Sequence, residues 1–377
     1  MRVVFLTTVH NRNDTRVFHK EAFDVGALDG LNVTVIVADG KGDEKRESYD
    51  IVDIGGFSGR VKRFLLGSIK AYSAVKKIKP KVVHFHDPEL MLVTWLLTFS
   101  GCTVIYDVHE NVPEDIKDKY WLPMPIRGGV AWIYEIIEKF CISRYRNIVA
   151  ATPDIFSRYP VEKAVLVQNL PRLEEFPIGK RERNGSVIPY VCYLGAITRI
   201  RGIDNVVHAM PVLNENRHVV SLRIGGFFQQ PEHFESLNNE PGWKYVNFVG
   251  VIDRSEIYNF LSEALCGVVC FLPAHNHLNA QPNKLFEYMA AGIPVIASDF
   301  PLWRKLINQY DCGLLVDPES PESIAEAIKY LLDNDDRRQQ MGKNGEMAVR
   351  NYLNWQVESD KLVNVYKEIK HEASGRI

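Results

Sequence analysis

Short, nearly continuous apolar runs recur along the chain, each separated from the next by a stretch of helical period. In the first half they are residues 3–8 (VVFLTT), 33–37 (VTVIV), 82–86 (VVHFH), 103–108 (TVIYDV), 147–152 (NIVAAT) and 165–169 (VLVQN). Apolar runs without polar alternation are what strands show when helices cover both faces of a parallel sheet. Residues 16–29, 61–78, 89–99 and 127–144 carry apolar positions at helical spacing between them. The pattern predicts a doubly wound α/β domain.

The alternation stops at 171–189 (PRLEEFPIGKRERNGSVIP), a stretch rich in charge, proline and glycine that reads as a linker. It restarts with strands at 190–195, 221–226, 245–250, 267–272, 294–298 and 313–316 and helices at 202–213, 254–265, 283–291, 301–309 and 321–333. The expected organisation is a first Rossmann-like domain at 1–170, the linker at 171–189, and a second such domain at 190–354. A closing helix within 355–377 is expected to pack back on the first domain.

Composition narrows the class. Of 377 residues 46% are hydrophobic and 24% charged, ordinary globular values, and a net charge of −2 gives no pull toward nucleic acid. The six cysteines form no C-x2-C pair and lie mostly in apolar runs, which fits reduced, buried thiols and a cytoplasmic setting better than zinc ligation. No stretch approaches the roughly 18 uninterrupted apolar residues of a membrane span. One segment departs from the even charge balance: residues 58–81 hold eight Lys/Arg and no acid, with Val61, Phe64, Leu65, Ile69, Tyr72 and Val75 near helical period. It suits the inner, anionic surface of a plasma membrane, or else a solvated helix covering the sheet. The 127–144 helix, with Trp132, Ile133, Ile136, Ile137 and Phe140, reads as core.

Ligands of open α/β sheets sit beyond the carboxyl ends of strands, which selects a few segments. The turn after the first strand, TTVHNRNDTR, has no glycine, so the dinucleotide fingerprint is absent and a dehydrogenase is not expected. It offers His10, Asn13, Asp14 and Arg16. Asp14 or Thr15 could cap the next helix, and Arg16 could meet a charged acceptor. HFHDPEL (84–90) and YDVHE (106–110) end two further strands in polar clusters. His86, Asp87, Glu89, Asp107 and Glu110 are candidates for binding acceptor hydroxyls, although Asp87 would also serve as a cap. His84, on the alternate face of its strand, reads as structural.

In the second half, NAQPNKLFEYMAAGIPVIAS (279–298) reads as a helix stopped by Gly292 and followed by a buried strand. Pro282 suits the first turn, and Asn279 or Gln281 could help to cap it. The free N–H groups there suit phosphate, and the Glu287 carboxylate can accept from vicinal sugar hydroxyls. No Asp-x-Asp pair or zinc-ligand spacing on one helix is present, so neither a metal nor another cofactor is expected.

Residues 283–298 resemble the donor-site signature of glycosyltransferase family 4, in which a glutamate precedes an Ala-Gly-x-Pro-Val turn. LGAITRIRGID (194–204) and the two-domain layout extend the resemblance over nearly the whole chain, and HDPEL and YDVHE look like a bacterial envelope-polysaccharide subset. The resemblance implies a GT-B fold, a nucleotide-sugar donor bound by the second domain, and transfer with retention to a glycan or lipid-linked acceptor in the interdomain cleft. It implies that Glu287 holds the ribose and that Arg199 and Arg201 hold the diphosphate. Asn279, Gln281, Pro282, Asn283, Lys284 and Leu285 would complete the donor site. His109 matches a histidine near the reacting centre, so His109, Glu287, Arg199 and Arg201 are the catalytic candidates. The chain departs from the family in four places: Asn279 stands for a glutamate, Gln281-Pro282 for Phe-Gly, Arg201 for lysine, and the glycine-rich turn after the first strand is missing. A GT-B sugar-nucleotide epimerase and a non-catalytic binding subunit are the alternatives.

Overall fold

The computed structural model describes residues 1–118, 122–177, 188–215 and 220–374. Most of the expected linker, 178–187, therefore lies outside the described residues. The chain forms two compact units, Met1–Asn169 with Trp355–Ile377, and Leu170–Asn354.

Unit 1 is built on an eight-stranded sheet: β1 (Arg2–Leu6), β2 (Asn32–Val37), β3 (Glu44–Lys45), β4 (Asp50–Asp53), β5 (Val82–Phe85), β6 (Thr103–Val108), β7 (Asn147–Ala150) and β8 (Ala164–Leu166). The order is β3-β4-β2-β1-β5-β6-β7-β8, parallel except for the β3–β4 pair. The sequence pattern lacks β3 and β4 because both are short and largely polar strands at the sheet edge. β1 lies between β2 and β5, so the strand order reverses beside it and opens a crevice at the carboxyl ends of β1 and β5.

Side chains alternate across this sheet. Val3, Phe5, Val33 and Val35 pack on one face under Phe18 and, from the closing helix Trp355–Ser374, Leu362 and Tyr366. Val4, Leu6, Ile36, Val83 and Phe85 pack on the other. Helices flank that second face. The first, α1, runs through residues 60–78, with α-helix at Arg60–Lys62 and Ser68–Ile78 and a π-wound turn at Arg63–Gly67 between them. The others are α2 (Met91–Thr98) and α3 (Met124–Ile142). The reading of α3 as a core helix is corrected: it buries Ala131 and Cys141 against the sheet, while Trp132 is 63% exposed and Ile133, Ile136 and Phe140 are also exposed. A sequence window rich in apolar residues does not reveal whether a second layer covers its outer stripe.

Unit 2 carries six parallel strands, β9 (Tyr190–Leu194), β10 (Ser221–Gly225), β11 (Val246–Gly250), β12 (Cys266–Val269), β13 (Val295–Ser298) and β14 (Gly313–Val316), in the order β11-β10-β9-β12-β13-β14. Here β9 lies beside the reversal of order, and the helix α4 (Asn283–Ala290) follows β12. Gly202 ends the loop after β9 at φ 70°, and a Cβ there would stand 1.7 Å from the carbonyl oxygen of Cys270. Only glycine fits that approach. The helix Asp335–Asn351 went unread in the sequence because its interior is polar with two glycines. It packs small residues closely, so that a Cβ on Gly345 would lie 3.3 Å from Met289 of α4. Among the described residues no helix is long and apolar enough to cross a membrane.

Candidate functional site

In unit 2 the loop after β9 and the start of α4 meet around Gly195. The Arg201 guanidinium donates to the Ala196 carbonyl oxygen at 2.9 Å, and Tyr193 Oη donates to the same oxygen at 2.7 Å. The backbone N–H of Leu194 is fixed by Tyr288 Oη at 3.0 Å. A Cβ on Gly195 would fall 3.5 Å from Lys284 Nζ and 3.9 Å from Arg201 Nη1, so both side chains border this glycine. Lys284 is buried, its Nζ has no hydrogen-bond partner, and it lies 3.8 Å from the centre of the Tyr193 ring. Burial, reinforced by the Arg201 charge and opposed by Glu287, pushes the amine well below the usual lysine range.

Three sequence expectations change here. Arg199 does not join Arg201: it is exposed and donates to Asp204 at 3.0 Å, whose other oxygen meets His233 at 2.6 Å. Lys284 takes the neighbouring position instead. Pro282 is the residue before the first turn rather than in it, since α4 begins at Asn283. The N-cap residue is Pro282, which has no side-chain acceptor for the first N–H groups of α4. Leu285 points into the core and Asn283 is exposed. Glu287, 7% exposed, accepts from Arg254 Nη1 at 2.6 Å, and the same guanidinium is paired with Glu175. Sequence reading missed Arg254, because DRSE looked only like the start of a helix.

In unit 1 the ends of β1, β5 and β6 gather a dense set of ionisable groups. Asp87 is buried and accepts from Thr7 Oγ1 at 3.0 Å, Thr8 N at 2.5 Å and Val9 N at 3.2 Å. It does not cap the helical turn that follows, contrary to the alternative reading. Burial raises its pKa, while His10 and the Thr8 N–H act against the rise. Glu89 accepts from Thr8 Oγ1 at 2.6 Å and pairs with Arg63 of α1 at 3.0 Å. Asp14 is the cap of the next helix, accepting from Val17 N at 2.9 Å, and its other oxygen lies 3.0 Å from His10 Nδ1. Burial disfavours charge on His10, yet Asp14 and Asp87 outweigh it and raise its pKa.

Arg16 is not available to a charged acceptor. It is buried, 3.0 Å from Asp107 and 2.8 Å from Glu21, and it donates to the Val167 carbonyl at 2.8 Å. Asp107 is the hub. Burial works against its charge, but Arg16 and then His109 outweigh that and hold its carboxyl well below the usual range. His109 Nε2, His86 Nδ1 and Asp107 Oδ2 stand 3.3–3.4 Å from one another. His86 is fully enclosed, and its burial depresses its pKa to about 3, so it is a neutral ring. His109 keeps 18% of its side chain exposed and is the outlet of the cluster. His84 donates to or accepts from Tyr366 Oη at 2.8 Å, the structural part expected of it. Glu110 is exposed.

Donor atoms of Glu21, His84, His86 and Asp107 all lie within 4.8 Å of one another, a composition able to hold a metal ion. The Arg16 guanidinium already lies against both carboxylates, and a divalent cation would stand beside that fixed positive charge. Burial raises the Glu21 pKa well above the carboxylate range despite Arg16, so Glu21 and Asp107 are suited to sharing one proton.

Residues 180–347 match the family of glycosyl transferases group 1. The chain is 25% identical over 306 residues to a phosphatidyl-myo-inositol mannosyltransferase of Mycobacterium leprae, covering 78% of this chain and 75% of that protein. It is 22% identical to the capsular polysaccharide biosynthesis glycosyltransferase CapM of Staphylococcus aureus over 92% of each. Among solved structures, sucrose-phosphate synthase from Thermosynechococcus elongatus superposes with a TM-score of 0.79 at 19% identity, over 98% of this chain and 99% of that one, a likeness of fold.

Proposed function

We propose that this chain, whose residues 180–347 match the group 1 glycosyl transferases and whose fold is that of sucrose-phosphate synthase, transfers a sugar, with retention, from a nucleotide sugar held by unit 2 to a hydroxyl held by unit 1. The observation that carries this reading is the unpartnered Lys284 Nζ beside Arg201, in the first turn of α4. A diphosphate satisfies both cations at once. Glu287, aligned by Arg254, accepts the ribose hydroxyls. As the bond from the anomeric carbon to phosphate breaks, its electron pair leaves with the diphosphate, where Arg201, Lys284 and the helix dipole stabilise it. The acceptor oxygen then bonds the same face of that carbon, and its proton passes to the departing phosphate. His109, kept in place by Asp107, and Asn279 are the residues that the family resemblance assigns to the sugar.

With two cations at the diphosphate, the reaction needs no metal there. The acceptor is a glycan or a lipid-linked hydroxyl, and the likeness to CapM favours cell-surface polysaccharide synthesis on the cytoplasmic side. Incubation with a panel of nucleotide sugars, with excess EDTA, tests the whole reading. Acceptor-dependent release of nucleoside diphosphate that persists in EDTA is expected. Isomerised donor, binding without turnover, or activity that only Mg2+ or Mn2+ restores would each contradict it.

A further inference from the structure

The outer surface of unit 1 is uneven in a way that the transfer reaction does not explain. Among the described residues, fifteen of the nineteen exposed large apolar side chains of unit 1 lie on α1, α2 and α3 or at their ends. The three helices are neighbours. The Trp95 ring of α2 packs tilted against Phe140 of α3 with centres 4.9 Å apart, and Lys76 of α1 donates to Ser100, just past α2, at 3.0 Å. On α3 the stripe runs from Met124, 80% exposed, through Val130, Trp132 and Ile133 to Phe140. On α1 it includes Phe64, Leu65 and Ile69, the last 65% exposed. The closing helix, on the opposite face of the same sheet, exposes only Val357 among large apolar residues.

Charge identifies the occupant. Residues 58–81 carry eight Lys/Arg and no acid, and Lys62, Lys70 and Lys77 are exposed beside the apolar stripe. α3 has two acids, and one of them, Glu138, is buried against Arg158 and Tyr159. Interfaces between proteins are depleted in lysine, whereas helices that lie in a bilayer surface combine Lys/Arg on one flank with Trp, Phe and Leu on the other. The face is also continuous with the acceptor side of the site. Arg63 of α1 is ion-paired with Glu89, which holds Thr8 beside the buried Asp87.

We propose that α1, α2 and α3 together form a docking face for an anionic lipid bilayer, with the α3 stripe inserted among the acyl chains and the α1 lysines at the headgroups. The surface is wider than the basic helix that the sequence suggests, and it places Glu89 and Asp87 next to a membrane where a lipid-borne hydroxyl is found.

The test uses the full chain without any nucleotide sugar, so it is independent of turnover. Vesicles of phosphatidylcholine with about 30% phosphatidylglycerol are compared with phosphatidylcholine alone. Co-sedimentation with the anionic vesicles is expected, weakening as salt rises. A blue shift of tryptophan emission that is lost in Trp132→Phe would place that ring in the bilayer. The double variant Ile133→Ser/Phe140→Ser, whose side chains are exposed, should keep the wild-type circular dichroism and lose vesicle binding by about tenfold or more. The proposal falls if wild type fails to bind anionic vesicles at low salt or if the double variant binds as wild type does. It also falls if the double variant dissolves a solution oligomer while vesicle binding persists, since the face would then belong to a second copy. Vesicle binding by a chain that transfers no sugar would sink the transfer reading and leave this one standing.

Discussion

The two units share a fold plan and place their polar residues at equivalent strand ends, yet their electrostatics are opposite. At the end of β9, the Arg201 guanidinium and the Lys284 amine stand near one glycine, and Lys284 Nζ has no hydrogen-bond partner. At the ends of β1, β5 and β6, Arg16, His10 and three further histidines are matched against Asp14, Glu21, Asp87 and Asp107, nearly all paired with one another. The first arrangement is incomplete and calls for an anion. The second is internally neutralised, as suits a neutral hydroxyl and the handling of a proton. A charge cluster that is complete in itself contributes to folding, whereas one that is incomplete lowers stability until its ligand arrives.

The sharpest way to break this contrast is to disturb each hub. Asp107→Ala leaves the buried Arg16 with one fewer carboxylate and should destabilise unit 1 by about 3–5 kcal/mol, read as a lowered denaturant midpoint. Glu287→Ala, in α4 of unit 2, should leave the midpoint nearly unchanged, because Arg254 is a third exposed and keeps Glu175. Its effect appears in turnover, which should fall by about 3 kcal/mol in activation free energy, roughly a hundredfold, with Glu287→Gln retaining part of the donor affinity. Equal stability losses in the two variants would show that the units are not divided in this way.

Much of this was legible in the sequence, for identifiable reasons. Every strand buried on both faces stood out as an apolar run, and the Ala-Gly-x-Pro turn marked α4. What escaped depends on direction rather than residue type. Arg199 and Arg201 are two apart in a tight turn that ends at Gly202, so their side chains diverge, and only the second reaches Gly195. Arg16 looked like a ligand contact, but the π-wound helix Thr15–Ala22 turns it inward to Asp107, 91 residues away. Arg254 meets Glu287 across 33 residues, and no local spacing announces such a pair.

That divergence gives a middle-sized test. Arg201→Ala should weaken nucleoside diphosphate binding by about 1.5–3 kcal/mol in calorimetry, the range for a charge-assisted contact. Arg199→Ala, removing an exposed pair with Asp204, should change it by less than about 1 kcal/mol. Equal losses would restore the sequence expectation that both arginines grip the diphosphate.

The smallest effect discriminates best, because its sign differs between stability and binding. Lys284 has its pKa depressed in the folded chain, so between that value and the ordinary lysine value the unfolded chain holds the extra proton. Stability therefore rises with pH across this window: the contribution is complete above the ordinary value and is lost as pH falls through the depressed one. Lys284→Met has a similar length and no charge. It should raise the stability of unit 2 at neutral pH by about 1 kcal/mol, roughly 2–4 °C in Tm, with the gain over wild type largest at low pH and shrinking as pH rises. The same variant should bind nucleoside diphosphate about tenfold more weakly, because an arriving anion favours the ammonium form. Wild type should accordingly take up protons on binding, seen as a calorimetric enthalpy that depends on the buffer, and the methionine variant should show less uptake. A variant that is less stable than wild type and binds equally well would mean that Lys284 is a packing residue, and the opposition between the two units would lose its main support.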